Sequence, residues 1–171
     1  MFISHQAPVN RNYFKTGDKI EFLSNTGKIT SATAMDDSNE AIPFIFDQIL
    51  FLDSAEENCL DRWNDKTMRM IPPNLVESVA KTFMFGSVNG GLLFVPPIFD
   101  SIIGDNCYEP MKERKNRIAT TLERDEVLSW WTSGKIAIDD HGDGACDIIA
   151  CNVIGVRPLF FLSKEINASL L

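Results

Sequence analysis

The chain has 171 residues, 44% of them hydrophobic and 23% charged, with a net charge of −8. That length suits one domain with a buried core, and the composition is that of an ordinary globular protein. The acidic balance opposes binding to nucleic acid or anionic lipid, and no apolar run approaches the roughly 20 residues of a membrane span.

The opening "MFISHQAPVNR" has neither the basic start nor the apolar stretch of an export signal. The expectation is a protein that stays soluble in the cytoplasm. Cys59, Cys107, Cys146 and Cys151 are scattered without a CxxC spacing, which fits reduced thiols buried as small apolar side chains. The sequon at Asn167 has no meaning without secretion. Residues 1–18 read as an N-terminal arm, either docked on a neighbouring subunit or packed as an edge strand. Residues 19–171 read as a single domain.

In chain order, Lys19–Leu23 and Lys28–Met35 flank Ser24-Asn25-Thr26-Gly27, a hairpin in which glycine supplies the positive φ. "MDDSNE" (Met35–Glu40) is a polar loop. "IPFIFDQILFLD" (Ile42–Asp53) reads as one extended segment. Phe44, Phe46, Leu50 and Leu52 fall on one face and Ile45, Ile49 and Phe51 on the other, so both faces should be covered, by protein or by a partner.

Ser54-Ala55-Glu56-Glu57 has the form of a capping box opening a helix through Cys59, Leu60 and Trp63. After Pro72-Pro73, Asn74 and Glu77 form a second box. Leu75, Val76, Val79, Ala80, Phe83 and Met84 then recur at helical spacing up to Gly86. Asn89-Gly90-Gly91 turns into "LLFVPP", a buried strand stopped by proline, and "PIFDSIIG" is a short helical turn closed by Gly104. The polar middle carries a basic cluster, Lys112, Arg114, Lys115 and Arg117, which is either a solvated face or a docking patch for an acidic partner.

In the last third, "VLSWWTSG", "KIAIDD", "ACDIIACNV" and "VRPLFFL" read as closely spaced antiparallel strands. The fold class is α+β: two short helices packed on an irregular, mostly antiparallel sheet. Between two of these strands, "IDDHGDGACD" (Ile138–Asp147) offers Asp139, Asp140, Asp143 and Asp147 as hard oxygen ligands for calcium, with Gly142 and Gly144 to let the loop fold. The spacing is not that of an EF-hand. Zinc would require His141, Cys146 and Cys151 together, and a strand over Ala145–Val153 would turn the two cysteines to opposite faces. The same letters are also what a tight turn between strands requires. No G-x-S-x-G, H-E-x-x-H, P-loop or G-x-G-x-x-G pattern is present.

"SWWTSG" (Ser129–Gly134) and "GVRPLFFL" (Gly155–Leu162) resemble an uncharacterised family of bacterial and phage domains. That family has a Trp-Trp pair, short glycine-rich strands and a closing G-V-R-P-A-L-type strand. "GLLFVPPIFDSIIG" (Gly91–Gly104) is similar to its strand-then-short-helix segment, so the motif region spans 90–162. The family is distantly similar to the C-type-lectin-like fold of formylglycine-generating enzymes and of phage receptor-binding variable proteins. The resemblance implies a lectin-like C-terminal third. The family continues its Trp pair as W-W-L-R-S, where Thr132, Ser133 and Gly134 stand here, so that arginine's contacts do not carry over. Nothing corresponds to the catalytic cysteine pair of the formylglycine enzymes.

Trp130 and Trp131, adjacent in a strand, should send one ring to each face. At least one belongs to the core; the other is core or faces a ligand or partner. Arg157 either clamps a loop carboxylate or carbonyls through its planar fork or binds an anionic ligand. Three functional expectations follow. The first is a non-enzymatic structural or adhesion protein, a phage virion component of tail, baseplate or capsid. Such a component would join a homo- or hetero-oligomeric assembly of protein subunits or a host surface. The second is a free-standing lectin-like domain that binds a surface glycan, either without a cofactor or with calcium at Asp139–Asp147. The third is an enzyme without a recognised motif.

Overall fold

A glycine-closed hairpin starts the first sheet. The computed structural model describes residues 3–5, 12–83 and 91–166. Strands Ile3–His5 (β1), Lys19–Leu23 (β2), Ile29–Ala34 (β3), Ala41–Phe46 (β4) and Phe51–Asp53 (β5) come first. Helices Cys59–Met70 (α1) and Pro73–Phe83 (α2) follow, then the shorter Phe99–Ile102 (α3) and Arg114–Arg117 (α4). The chain ends in short strands: Ala119–Thr120 (β6), Val127–Leu128 (β7), Trp130–Trp131 (β8), Ala137–Ile138 (β9), Gly144–Ala145 (β10), Ile154–Val156 (β11) and Leu159–Ser163 (β12). The class is α+β, with mostly antiparallel strands.

These strands form two five-stranded sheets and a small β6–β7 hairpin rather than one irregular sheet. The first has the order β1-β2-β3-β4-β12 and is antiparallel throughout. The second has the order β10-β9-β8-β11-β5, with one parallel pairing, Gly155 against Trp130. The predicted β2–β3 turn is present: Gly27 takes φ 82° and the Ser24 N–H donates to the Lys28 carbonyl at 2.9 Å. Within the predicted arm, β1 pairs along β2, Tyr13 bridges Glu165, and Phe14 lies in the first core. Residues 1–2 and 6–11 of that arm, the expected helix end at Met84–Gly86, the turn at Asn89-Gly90 and the sequon lie outside the described residues.

The two-faced segment at Ile42–Asp53 does have both faces covered, by the protein itself. Ile42, Phe44 and Phe46 enter a core beneath α1 and α2, where Phe44 and Phe46 pack on Phe160 with ring centroids 5.6 and 5.0 Å apart. Ile45 and Ile49 enter a second core with Trp130, Ile138 and Met111. The segment is not one strand, however. It leaves the first sheet at Asp47 and resumes as β5 in the second, leaving Leu52 43% exposed. Its partner makes the same switch from β11 to β12 across Arg157-Pro158. Backbone bonds from Leu50 N–H to the Val156 carbonyl (3.0 Å) and from Phe46 N–H to the Pro158 carbonyl (3.2 Å) hold the two corners opposite each other. One antiparallel ribbon thus belongs to both sheets, as in orthogonally packed β structures whose strands bend at corners.

Three local expectations are corrected. Helix α1 begins at Cys59, after Asn58 in a left-handed conformation, and Ser54 does not cap it. The Ser54 hydroxyl instead donates to Glu56 at 3.1 Å. Pro73 is the first residue of α2, so Asn74 lies inside the helix rather than at its cap. "LLFVPP" forms a single bridge, Val95 to Leu159, instead of a strand. Its Leu93 and Phe94 N–H groups both donate to the buried Asn64 Oδ1 at 3.0 Å, which satisfies backbone that no neighbouring strand reaches.

Candidate functional site

Asp47 sits where the ribbon leaves the first sheet. Its Oδ2 accepts from Lys19 Nζ at 2.7 Å and from the Ser31 hydroxyl, and its Oδ1 accepts from Thr33 Oγ1 at 2.5 Å. Thr33 Oγ1 in turn accepts from Lys19 Nζ at 2.8 Å. Burial pushes the Asp47 carboxyl up, but the hydrogen bonds from Lys19, Ser31 and Thr33 and the Lys19 charge outweigh it and hold the group below the usual carboxylate range. Across the corner, Arg157 is buried at 3% exposure. Its Nε donates to the Phe46 carbonyl at 2.6 Å and its Nη1 to the Asn116 carbonyl at 3.0 Å. Its Cζ stands 4.8 Å from the Trp130 ring centre, a cation–π distance. The guanidinium clamps carbonyls from two parts of the chain, and a polar cleft of about 490 Å³ opens over it and Asp47.

The Trp pair divides between the two faces of the second sheet. Both rings are 0% exposed, with Trp130 in the second core and Trp131 in a third with Trp63, Ala55 and Val156. Each indole N–H is satisfied by a backbone carbonyl, Trp130 Nε1 by Arg117 and Trp131 Nε1 by Asp53, both at 2.9 Å. Neither ring is available to a ligand from outside.

The aspartate-rich stretch is the turn of the β9–β10 hairpin. The Asp139 N–H donates to the Asp143 carbonyl at 2.7 Å, and Gly142 takes φ 82°. Asp139 Oδ1 accepts the His141 and Asp143 N–H groups at 2.9 Å each, bonds that hold its carboxyl below the usual range. Asp139, Asp140 and His141 place ligand atoms within 4.8 Å of one another, but Asp143 and Asp147 are not part of that group. Asp143 pairs with Arg114 at 3.3 Å and Asp147 is exposed. Two carboxylates and an imidazole supply fewer oxygens than the six to eight that calcium takes. The expected strand over Ala145–Val153 is only Gly144–Ala145, and the rest is loop. The cysteines are free but not buried as expected: Cys146 and Cys151 are exposed on that loop, and Cys59 and Cys107 are half-buried.

The basic cluster is engaged inside the chain. Arg117 donates to the Gly142 and Met111 carbonyls at 2.8 and 3.1 Å, and Arg114, Lys112 and Lys115 pair with Asp143, Glu109 and Glu113.

A second cleft, of about 600 Å³, runs beside β5, the terminal strand of its sheet. Phe51, Leu52, Met70, Leu122 and Leu128 give it apolar walls, and Lys28, Glu123, Arg124 and Glu126 form a rim of mixed charge. No family model matches the chain, and neither a curated protein nor a solved structure does. Among the described residues no helix is long and apolar enough to cross a membrane.

Sequence patterning does not single out Asp47, Lys19, Thr33 or the apolar cleft. One signal for the first was in plain view: a lone aspartate within the apolar "PFIFDQILF", which a buried strand does not tolerate without a partner. The cleft has no such signal, because its apolar walls come from three separate parts of the chain, around Phe51, Met70 and Leu122.

Proposed function

We propose that this protein is a non-enzymatic structural or adhesion component of a phage virion, working by contact with neighbouring protein subunits. The observation that carries this reading is the apolar cleft along β5. An exposed apolar groove with a polar rim is what a protein-binding surface looks like, and a terminal strand leaves backbone groups for another chain to pair with. The rim's mixed charge suits a protein surface better than a polyanion, and the net charge of −8 disfavours nucleic acid. The resemblance of the Trp-Trp and G-V-R-P segments to bacterial and phage domains supports the same reading. The occupant is a segment of an adjoining subunit. Leu52→Glu places a charge in the groove at an exposed position, so the chain should fold with near-normal stability yet fail to co-sediment with its assembly. Normal incorporation of this variant counts against the reading.

A second reading, a calcium-dependent lectin-like domain that binds a glycan, starts from the cluster of Asp139, Asp140 and His141 and needs water or glycan oxygens to complete the coordination. It requires calcium to raise the melting temperature, a chelator to reverse the rise, and Asp140→Ala to abolish it. A melting temperature indifferent to calcium removes this reading.

A further inference from the structure

We propose that the polar cleft over Arg157 is a binding site for one small oxyanion, a carboxylate or a phosphate carried by a small molecule. The cleft, about 490 Å³, is lined by Lys19, Thr33, Asp47, Lys115, Asn116 and Arg157 among others. Arg157 has only neutral partners in direct contact: two carbonyls and the Trp130 ring. Its Nη2 has no hydrogen bond to any described residue, although the side chain is 3% exposed and lines the cleft. The carboxylate that acts on it, Asp47, is already engaged by Lys19 at 2.7 Å and by two hydroxyls.

Arg157, Lys19 and Asp47 together therefore carry one positive charge in excess. Burial lowers the Arg157 pKa to about 10, against the pull of Asp47, so the group remains a cation at neutral pH. A buried cation without a matching anion is costly, and an oxyanion donated to by a guanidinium is among the stronger charge-assisted contacts. At the mouth, Lys112 and Lys115 are held only by exposed pairs with Glu109 and Glu113. Such pairs are weak enough to be exchanged for a ligand. The cleft's size limits the ligand to a small molecule.

The test uses the full ¹⁵N-labelled chain at constant ionic strength set by sodium chloride. Sodium phosphate, sodium acetate and sodium glucuronate are titrated separately while the Arg157 guanidinium signals are followed by NMR. The expected result is a saturable shift with half-saturation on the order of 1 mM, as for one charge-assisted site. Tighter binding of phosphate identifies a phosphoryl ligand, and tighter binding of acetate or glucuronate a carboxylate; either supports the site. Lys19→Gln removes the excess charge and frees Asp47 toward Arg157 without altering the buried arginine, so it should weaken binding roughly tenfold or more. Shifts that grow linearly with all three anions, or binding of equal strength in Lys19→Gln, overturn the proposal.

Discussion

Asp47 shows how a single side chain can set the course of the fold. It occupies a position that the apolar pattern assigns to the core, and it is tolerated because Lys19, Ser31 and Thr33 surround it with donors. Its folded pKa lies below the ordinary value of 3.8, so its contribution to stability is present above that value and is lost as pH falls through the folded pKa. Asp47→Asn should therefore cost about 1–3 kcal/mol near pH 7, with the difference from the native chain closing at low pH. Urea denaturation at pH 7 and pH 3 measures both; an equal gap at the two pH values contradicts the assignment. The Trp pair follows a similar logic, since a carbonyl meets the N–H of each buried ring. Trp130 and Trp131 were legible as two-faced from their adjacency alone. The Asp47 partnership was not, because Lys19 lies 28 residues away in sequence.

At the scale of elements, what was legible was local. The β2–β3 turn, the β9–β10 turn and the helical spacing of α2 are written in residues within a few positions of one another, and they formed as expected. The failures share a cause. A strand over Ala145–Val153 needs a neighbour to pair with, and after Ala145 it has none in the sheet order. The supposed cap at Ser54 was taken by Glu56, and the two-sheet ribbon depends on contacts between residues about 110 positions apart. The corner also rests on Gly155, where an added Cβ would stand 2.7 Å from Ile49 Cδ1 and 2.8 Å from its Cγ2. Gly155→Ala should destabilise the fold by about 1–3 kcal/mol through overpacking. Ile49→Val in the same chain should recover part of that loss, and a strictly additive double mutant means that the contact does not limit the corner.

For the whole molecule, the ribbon shared by two sheets makes one body from three cores. Among the clefts on its described surface, two differ in chemistry: one is polar and lined by Arg157 and Lys19, the other apolar beside β5. The two tryptophans, and Asp139 and Asp143 of the aspartate-rich turn, are committed to internal contacts, whereas the apolar cleft faces outward. On the proposed reading, neighbouring subunits hold this body through the apolar cleft. Fractionating the native source and counting this chain by quantitative mass spectrometry tests that claim most directly. A fixed stoichiometry in sedimenting particles is the result expected of a structural component. Recovery only from the soluble pool would contradict it.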